Sequence, residues 1–133
     1  MSYLLDIATF LEEQNLGCTT GRDKDIFVYA MPETIVDGIL LKDAIFGTEI
    51  DHEIPNYYVS DFRVIVRSKE HAEGEDKAEA VSAALTVLNQ TIGTLGVNFI
   101  RPRHVPMVFP VSEGDYLEWL VTFDASFSVC KTS

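Results

Sequence analysis

The feature that most constrains the fold of this chain is a strict two-residue alternation near its C-terminal end. The apolar positions of the alternation are Leu117, Trp119, Val121, Phe123, Ala125, Phe127 and Val129. The positions between them are Glu118, Leu120, Thr122, Asp124, Ser126 and Ser128. Successive side chains of a β-strand point to opposite faces of the sheet. The segment therefore predicts one long strand with one face on a core and the other largely in water.

Two other segments have the period of an α-helix. In residues 3–16 the apolar stripe is Leu4, Ile7, Ala8 and Leu11, with Ser2 as a plausible N-cap and Gly17 as a stop. The stripe of residues 70–92 consists of Ala78, Val81, Leu85, Leu88 and Ile92. The acidic start of this second helix suits the positive end of the helix dipole. Gly74 weakens the start, so the helix begins at either residue 71 or residue 75.

Shorter apolar runs predict further strands at residues 26–30, 38–43, 57–67 and 97–104. A sheet can bury both helical stripes most simply when the two helices pack on the same face. The sequence has no internal repeat, low-complexity tract or linker. We therefore predict a single α+β domain over residues 1–133, with a mostly antiparallel sheet and two helices packed on one face.

Two segments fit neither period. Residues 44–56 form a long stretch that is too rich in aliphatic residues for a solvated loop, and they predict an arm that becomes ordered against a partner. Residues 105–111 are apolar but contain Pro106 and Pro110, so they cannot form a central strand. They either tuck back on the core or present an apolar patch to a partner.

Composition excludes several classes of protein. The 133 residues include 21 Asp and Glu against 10 Lys and Arg, a net charge of −11, yet 47% of them are hydrophobic. Disordered acidic chains lack such apolar content, and nucleic-acid binders are usually basic. Two cysteines are too few for a disulfide scaffold. With no 18-residue apolar run and no signal peptide at residues 1–6, we expect no membrane span and assembly in a cytoplasm.

Motifs for catalysis are weak. The run Gly93-Thr94-Leu95-Gly96 is not a phosphate-binding loop, and a helix end followed by a turn would explain both glycines. Asp51, His52 and Glu53, with His71 or His104 as a further ligand, are the best candidates for a metal site. Adjacent side chains of an extended chain diverge, however, so a solvated acidic loop is the default interpretation. We expect no enzyme activity, no metal and no cofactor.

The one cationic cluster is Arg101-Pro102-Arg103-His104. A DNA contact there would be isolated in an acidic protein. An ion-pairing site that faces the acidic surface of an identical neighbour is the more plausible interpretation.

Taken together, the chain resembles the small minor capsid or tail-completion proteins of tailed bacteriophages, which are related to the siphophage tail terminators. The resemblance extends over nearly the full length and depends on structural rather than chemical motifs. The segments that carry it are residues 3–17, 25–28, 31–32, 62–68, 100–103 and 116–119.

The resemblance implies a virion protein at the head-proximal end of the tail. Six copies would close into a ring that caps the tail tube, ends its polymerisation and joins the tail to the head. The partners would be identical copies, the major tail protein and the head–tail connector proteins, with genomic DNA only passing through. A head–tail closure, connector or tail-tube role in the same particle stays open, and a small metal-dependent enzyme is the third hypothesis.

A ring of this kind gives the unusual segments a use. We expect the subunit or partner interface to include Ile45, Phe46, Ile50, Arg101, Arg103, Met107 and Phe109. An acidic channel wall would repel phosphates and let DNA slide. For that wall we expect Glu49, Asp51 and Glu53.

Overall fold

The computed structural model describes residues 3–22, 24–32, 34–45, 47–51, 53–54, 57–110 and 116–129. Two helices and nine strands lie within these ranges. The helices are α1 (Tyr3–Glu13) and α2 (His71–Ala84). The strands are β1 (Ile26–Val28), β2 (Gly38–Lys42), β3 (Glu49–Ile50), β4 (Tyr57–Ser60), β5 (Arg63–Ser68), β6 (Val87–Ile92), β7 (Leu95–Pro102), β8 (Met107–Pro110) and β9 (Leu117–Val129).

The predicted C-terminal strand is β9, and it is the centre of the sheet. The side chains of Trp119, Val121, Phe123, Ala125 and Phe127 are all buried, as the alternation predicts. Along one side β9 pairs first with β5 and then with β4, and along the other side it pairs first with β8 and then with β7. All nine strands therefore belong to one open sheet organised around this strand.

The sheet consists of two half-sheets that share β9. The first half-sheet has the order β1-β2-β5-β9-β8, and the second has the order β3-β4-β9-β7-β6. Only the β1–β2 pair is parallel; the other pairs are antiparallel. The prediction of a mostly antiparallel α+β fold is confirmed.

Both helices pack on the same face of β9. The Tyr3 ring of α1 lies against Phe62 and Phe127, while Gly74 of α2 lies against Trp119. Trp119 and Phe127 are an even number of residues apart, so they lie on one face of the strand. We call this the helix face and the opposite one the open face.

The predicted boundary of α1 is correct at its start and slightly long at its end. The helix stops at Glu13, and Asn15 takes the left-handed conformation with φ of 62°. The N–H of Leu16 then donates to the carbonyl of Leu11 at 3.1 Å, which satisfies a terminal helix carbonyl. Of the described helices, none is long and apolar enough to cross a bilayer.

The predicted helix over residues 70–92 is wrong in its second half. Helix α2 ends at Ala84, and residues 87–92 form strand β6. Leu88, which the helical stripe placed in the core, is 75% exposed. The apolar residues of β6 can be read with either period, and pairing with β7 decides in favour of the strand.

Because residues 87–92 form a strand, the interpretation of Gly93 and Gly96 as a helix end is also wrong. Ile92 and Leu95 close a two-residue hairpin loop, and Gly93 has φ of 58° at its first central position. This is the position at which a type II′ turn needs a positive φ. Gly96 lies within β7, opposite Ser128, and so neither glycine ends a helix.

The predicted single strand over residues 57–67 is divided into β4 and β5. The break falls at Asp61 and Phe62, and the alternating residues Phe62, Val64 and Val66 are all buried. The N–H of Phe123 donates to the carbonyl of Phe62 at 2.8 Å across the break. The split lets the two halves pair with different stretches of β9.

The two segments without a clear period both contribute edge strands. Within residues 44–56, β3 pairs with β4 and forms one edge of the second half-sheet. Within residues 105–111, β8 pairs with β9 and forms one edge of the first half-sheet. An edge position is where a strand tolerates proline, so the exclusion of this segment from a central strand is confirmed.

Candidate assembly surfaces

The strands on both sides of β9 are interrupted at the same level. Arg103 donates its N–H to the carbonyl of Thr122 at 2.8 Å, and Nε2 of His104 accepts the N–H of Thr122 at 3.2 Å. These groups replace the ladder hydrogen bonds that a continuous strand would supply. The buried backbone of β9 thus stays paired where its neighbours are not strands.

Arg103 forms an ion cluster at this interruption. Its guanidinium lies 2.5 Å from Oδ1 of Asp124 and 3.5 Å from Oδ2 of Asp61. The hydrogen bond to Asp124 raises the pKa of Arg103 above its already high ordinary value. The side chain is 49% exposed, so Arg103 is accessible, but its charge is already balanced within the chain.

Arg101 has a different environment. It lies on the open face of β7, opposite Asp124 in the register, and it is exposed. The guanidinium carbon stacks 4.8 Å from the centre of the Phe99 ring. Within the described ranges Arg101 has no salt bridge, and it therefore suits an intermolecular ion pair better than Arg103 does.

An apolar surface lies at the outer edge of β8. We call it the β8 corner, and its exposed residues are Val105, Met107, Val108 and Phe109. Met107 and Phe109 were predicted as interface residues, and both side chains are more than 40% exposed. The sequence had marked the segment as either core or partner surface; the exposure favours partner surface.

A second apolar surface lies at the β3–β4 hairpin. We call it the hairpin corner, and its exposed residues are Ile45, Ile50, Ile54 and Val59. Ile45 and Ile50 were predicted, whereas Ile54 and Val59 were missed; Phe46 lies outside the described residues. Strand alternation could have found Val59, because it is an even number of residues from the polar Asp61 and Arg63.

The two corners lie at opposite ends and on opposite sides of β9. Met107 is registered with Leu120 and Val59 with Ser126. Six residues separate Leu120 from Ser126, which is about 20 Å of strand at about 3.3 Å per residue. One molecule therefore presents two different apolar surfaces that cannot contact each other.

The predicted acidic residues lie beside the hairpin corner. Glu49 and Glu53 are exposed, and Asp51 is half-buried. Oδ1 of Asp51 accepts the N–H groups of Glu53 and Ile54 at 2.8 and 3.1 Å, so this carboxylate also shapes the turn. A second acidic surface, formed by Glu73, Glu75, Asp76 and Glu79, is exposed on α2.

The candidate metal ligands that the structure describes are not brought together. No cluster of three or more possible ligands occurs among the residues described, a set that does not include His52. His71 packs edge-on against Trp119 with ring centres 6.0 Å apart. Both ring nitrogens of His104 have hydrogen-bond partners, Thr122 and the carbonyl of Val105.

Two clefts border these surfaces. A cleft of about 230 Å³ lies between the hairpin and the Arg103 cluster, lined by Glu49, Val59 and Asp61 among others. A wider groove of about 530 Å³ separates the C-terminal turns of α2 from residues 102–106. In the first cleft Arg103 is paired with Asp61 and Asp124, whereas Glu49 is in no salt bridge within the described ranges.

Comparison with known proteins decides the family. Residues 11–129 match the family described as bacteriophage tail terminator protein. The chain belongs to this tail terminator family. Its fold is also similar to that of a chain in the virion of a native gene transfer agent particle, with a TM-score of 0.56 and 16% sequence identity over 92% of this chain and 84% of that one. No protein of curated function matches the sequence.

Membership of the tail terminator family agrees with the resemblance that the sequence carries. The family is one of structural phage proteins, and the role it supports is tail completion as a component of the virion. The likeness to the gene transfer agent particle supports the fold at this low identity.

Proposed function

We propose that the protein is a tail terminator in the strict sense. Its copies close into a ring, six of them as the family resemblance implies, on the head-proximal end of the tail tube. The ring ends polymerisation of the major tail protein and provides the surface on which the head–tail connector docks. Genomic DNA passes through the ring without being held.

The observation that carries the ring is the separation of the β8 corner from the hairpin corner. A contact between two different surfaces repeats head to tail, and it closes into a ring when the rotation between subunits allows. Each corner leaves large apolar side chains in water in the isolated chain. Burial of such side chains is worth about 25 cal/mol per Å² and favours association.

The net negative charge of the chain supports the proposal that DNA passes through the ring. With a net charge of −11 per copy, a ring carries a strongly negative surface. We propose that Asp51 and Glu53, at the turn of the hairpin, face the channel, and that the exposed acids of α2 add to the negative field. Repulsion of phosphates keeps DNA from adhering to the wall.

Sedimentation velocity of the purified protein tests the ring. We expect a discrete species of about 90 kDa, six times the 14.9 kDa of one chain, in equilibrium with monomer. Added to polymerising major tail protein, the same preparation should shorten the tubes, and electron microscopy should find it at one tube end only. Tubes of unchanged length, with no end decoration, would contradict termination even if a ring formed.

A further inference from the structure

An apolar row crosses the open face of the first half-sheet. Leu40 of β2 is registered with Ile65 of β5, Ile65 with Leu120 of β9, and Leu120 with Met107 of β8. Phe27 of β1 extends the row at the Leu40 end. Five adjacent strands thus place an apolar side chain on the face that neither helix covers.

Among the residues that the structure describes, only one end of this row is covered. Arg67 donates to the carbonyls of Pro32 and Ile35 at 3.1 and 2.8 Å, and this holds Pro32 and Ile35 beside β2 and β5. Phe27 and Leu40 are buried accordingly. Ile65 and Leu120 are only partly covered, and Met107 is 46% exposed.

Two cations border the row beside Leu40 and Ile65. Lys42 and Arg63 are registered with each other in the next row of the open face, and Phe109 lies on the other border, opposite Glu118. Glu118 is already paired with Arg67. Within the described ranges, neither Lys42 nor Arg63 is in a salt bridge. We call Lys42, Arg63, Ile65, Leu120, Met107 and Phe109 the open-face patch.

The open-face patch and the hairpin corner are complementary. The patch is apolar with two positive charges, in a chain whose net charge is −11. The hairpin corner is apolar and carries Glu49, whose register with Val59 directs it to the same face as that exposed side chain. Apolar contact bordered by opposite charges is the arrangement that stable protein interfaces use.

We propose that the open-face patch of one copy binds the hairpin corner of a second copy. Val59 of the second copy, which shares the open face with Glu49, covers Ile65, Leu120 and Met107, and Glu49 lies near Lys42 and Arg63. This contact rests on the proposed ring, and it specifies which surface meets which. It leaves Asp51 and Glu53, at the tip of the hairpin, for the channel.

Charge disfavours the two symmetric alternatives. Two open-face patches placed together would bring Lys42 and Arg63 against the same cations of the partner. Two hairpin corners would bring Glu49 against another acidic hairpin. Like charges juxtaposed at an interface cost several kcal/mol, so the mixed pairing is favoured.

Cysteine cross-linking tests the contact. In a chain whose Cys18 and Cys130 are replaced by serine, Val59→Cys and Met107→Cys are made singly and together. A short bis-maleimide should link an equimolar mixture of the two single variants into a dimer and nothing larger. The double variant should give a ladder of higher oligomers, and each single variant alone should give no linked product.

Leu88→Cys is the matched control, because Leu88 is an exposed leucine on the open face that belongs to neither surface. Its mixture with Met107→Cys should not cross-link. Linkage of Met107→Cys to itself, or equal linkage with the Leu88 variant, would overturn the proposal. Absence of all linkage at high protein concentration would also overturn it, while tube-length control by the wild-type chain would still stand for the proposed function.

A charge exchange adds a second readout. Lys42→Glu and Glu49→Lys should each weaken self-association about fivefold, which corresponds to about 1 kcal/mol. The double variant Lys42→Glu/Glu49→Lys should recover most of the loss, with circular dichroism unchanged in all three. Additive weakening in the double variant would contradict the pairing of these two residues.

Discussion

Gly74 of α2 lies directly over the indole ring of Trp119 in β9. A Cβ at position 74 would overlap two atoms of the six-membered ring and lie 2.9 Å from Cβ of Ser68. The glycine that weakens the start of this helix is therefore what allows α2 to approach the sheet. A local cost in helix propensity is offset by burial of the largest side chain in the core.

We predict that Gly74→Ala destabilises the protein, against the rule that alanine is the better helix former. Forcing a methyl group against a buried ring typically costs about 1–3 kcal/mol, which exceeds the propensity gain of about 1 kcal/mol. Urea unfolding measures the difference. Ala72→Gly, at an exposed position of the same helix, should cost only about 1 kcal/mol. A Gly74→Ala protein more stable than wild type would contradict the packing.

Tyr3 gives a pH prediction. Its ring is buried, its hydroxyl donates to Oδ1 of Asp43 at 2.7 Å, and Oγ of Ser60 lies at the same distance. Burial raises the pKa of Tyr3 well above its usual value of 10.0. Above pH 10 the unfolded chain therefore loses a proton that the folded chain keeps, and stability falls as pH rises, by up to about 1.4 kcal/mol per pH unit.

Unfolding free energies measured on both sides of pH 10 check this prediction. Tyr3→Phe should be less stable than wild type near neutral pH, by about 1–3 kcal/mol, because Asp43 and Ser60 lose a partner. The same variant should lose less stability between the two pH values than wild type. Tyr29→Phe, at a tyrosine that is more than half exposed, should leave the alkaline loss unchanged. Equal alkaline losses for wild type and Tyr3→Phe would contradict the assignment.

Local pattern was sufficient for β9 and α1 because each has one unambiguous period. It failed at residues 85–92, where Leu85, Leu88 and Ile92 fit a helical stripe as well as a strand. The choice depends on β7, which comes later in the sequence and supplies the pairing partners. Tertiary pairing overrides a local period in such cases.

The candidate surfaces were predictable only in part. Exposure of Ile45, Ile50, Met107 and Phe109 follows from segments that fit no period. The Arg103 cluster could not be predicted in this way. Asp61 and Asp124 come from segments distant in sequence, and they meet only where the sheet is interrupted. The open-face row depends likewise on the register of five strands, which no short segment contains.

Substitutions at two phenylalanines should distinguish an effect on folding stability from an effect on assembly. Phe123 is fully buried and stacks on Phe62, so Phe123→Ala should cost about 3–5 kcal/mol of folding stability. Phe109 is 43% exposed at the β8 corner, and Phe109→Ala should change monomer stability far less while it weakens self-association. Denaturant unfolding and sedimentation measure the two effects. The reverse ranking in unfolding would contradict the assignment of core and surface.

Substitutions of Arg101 and Arg103 should also differ in whether they affect assembly or monomer stability. Arg101→Glu should weaken assembly and leave monomer stability nearly unchanged, because the exposed Arg101 guanidinium stacks on the Phe99 ring and is in no salt bridge within the described ranges. Arg103→Met removes the partner of Asp124 and should cost up to about 1 kcal/mol of monomer stability, since the pair is partly exposed. Reversal of both charges with no effect on assembly or infectivity would remove these residues from the subunit boundary.

The central claim is that this protein ends tail growth. The most direct measurement is the distribution of tail lengths, by electron microscopy, after deletion of its gene from the phage that encodes it. We predict abnormally long tails of variable length that are not joined to heads, restored to uniform joined tails by the gene supplied in trans. Absence of tails would indicate a tube protein, and separate heads and tails of normal length would indicate head closure. Normal virions, or either of those two phenotypes, would contradict the account.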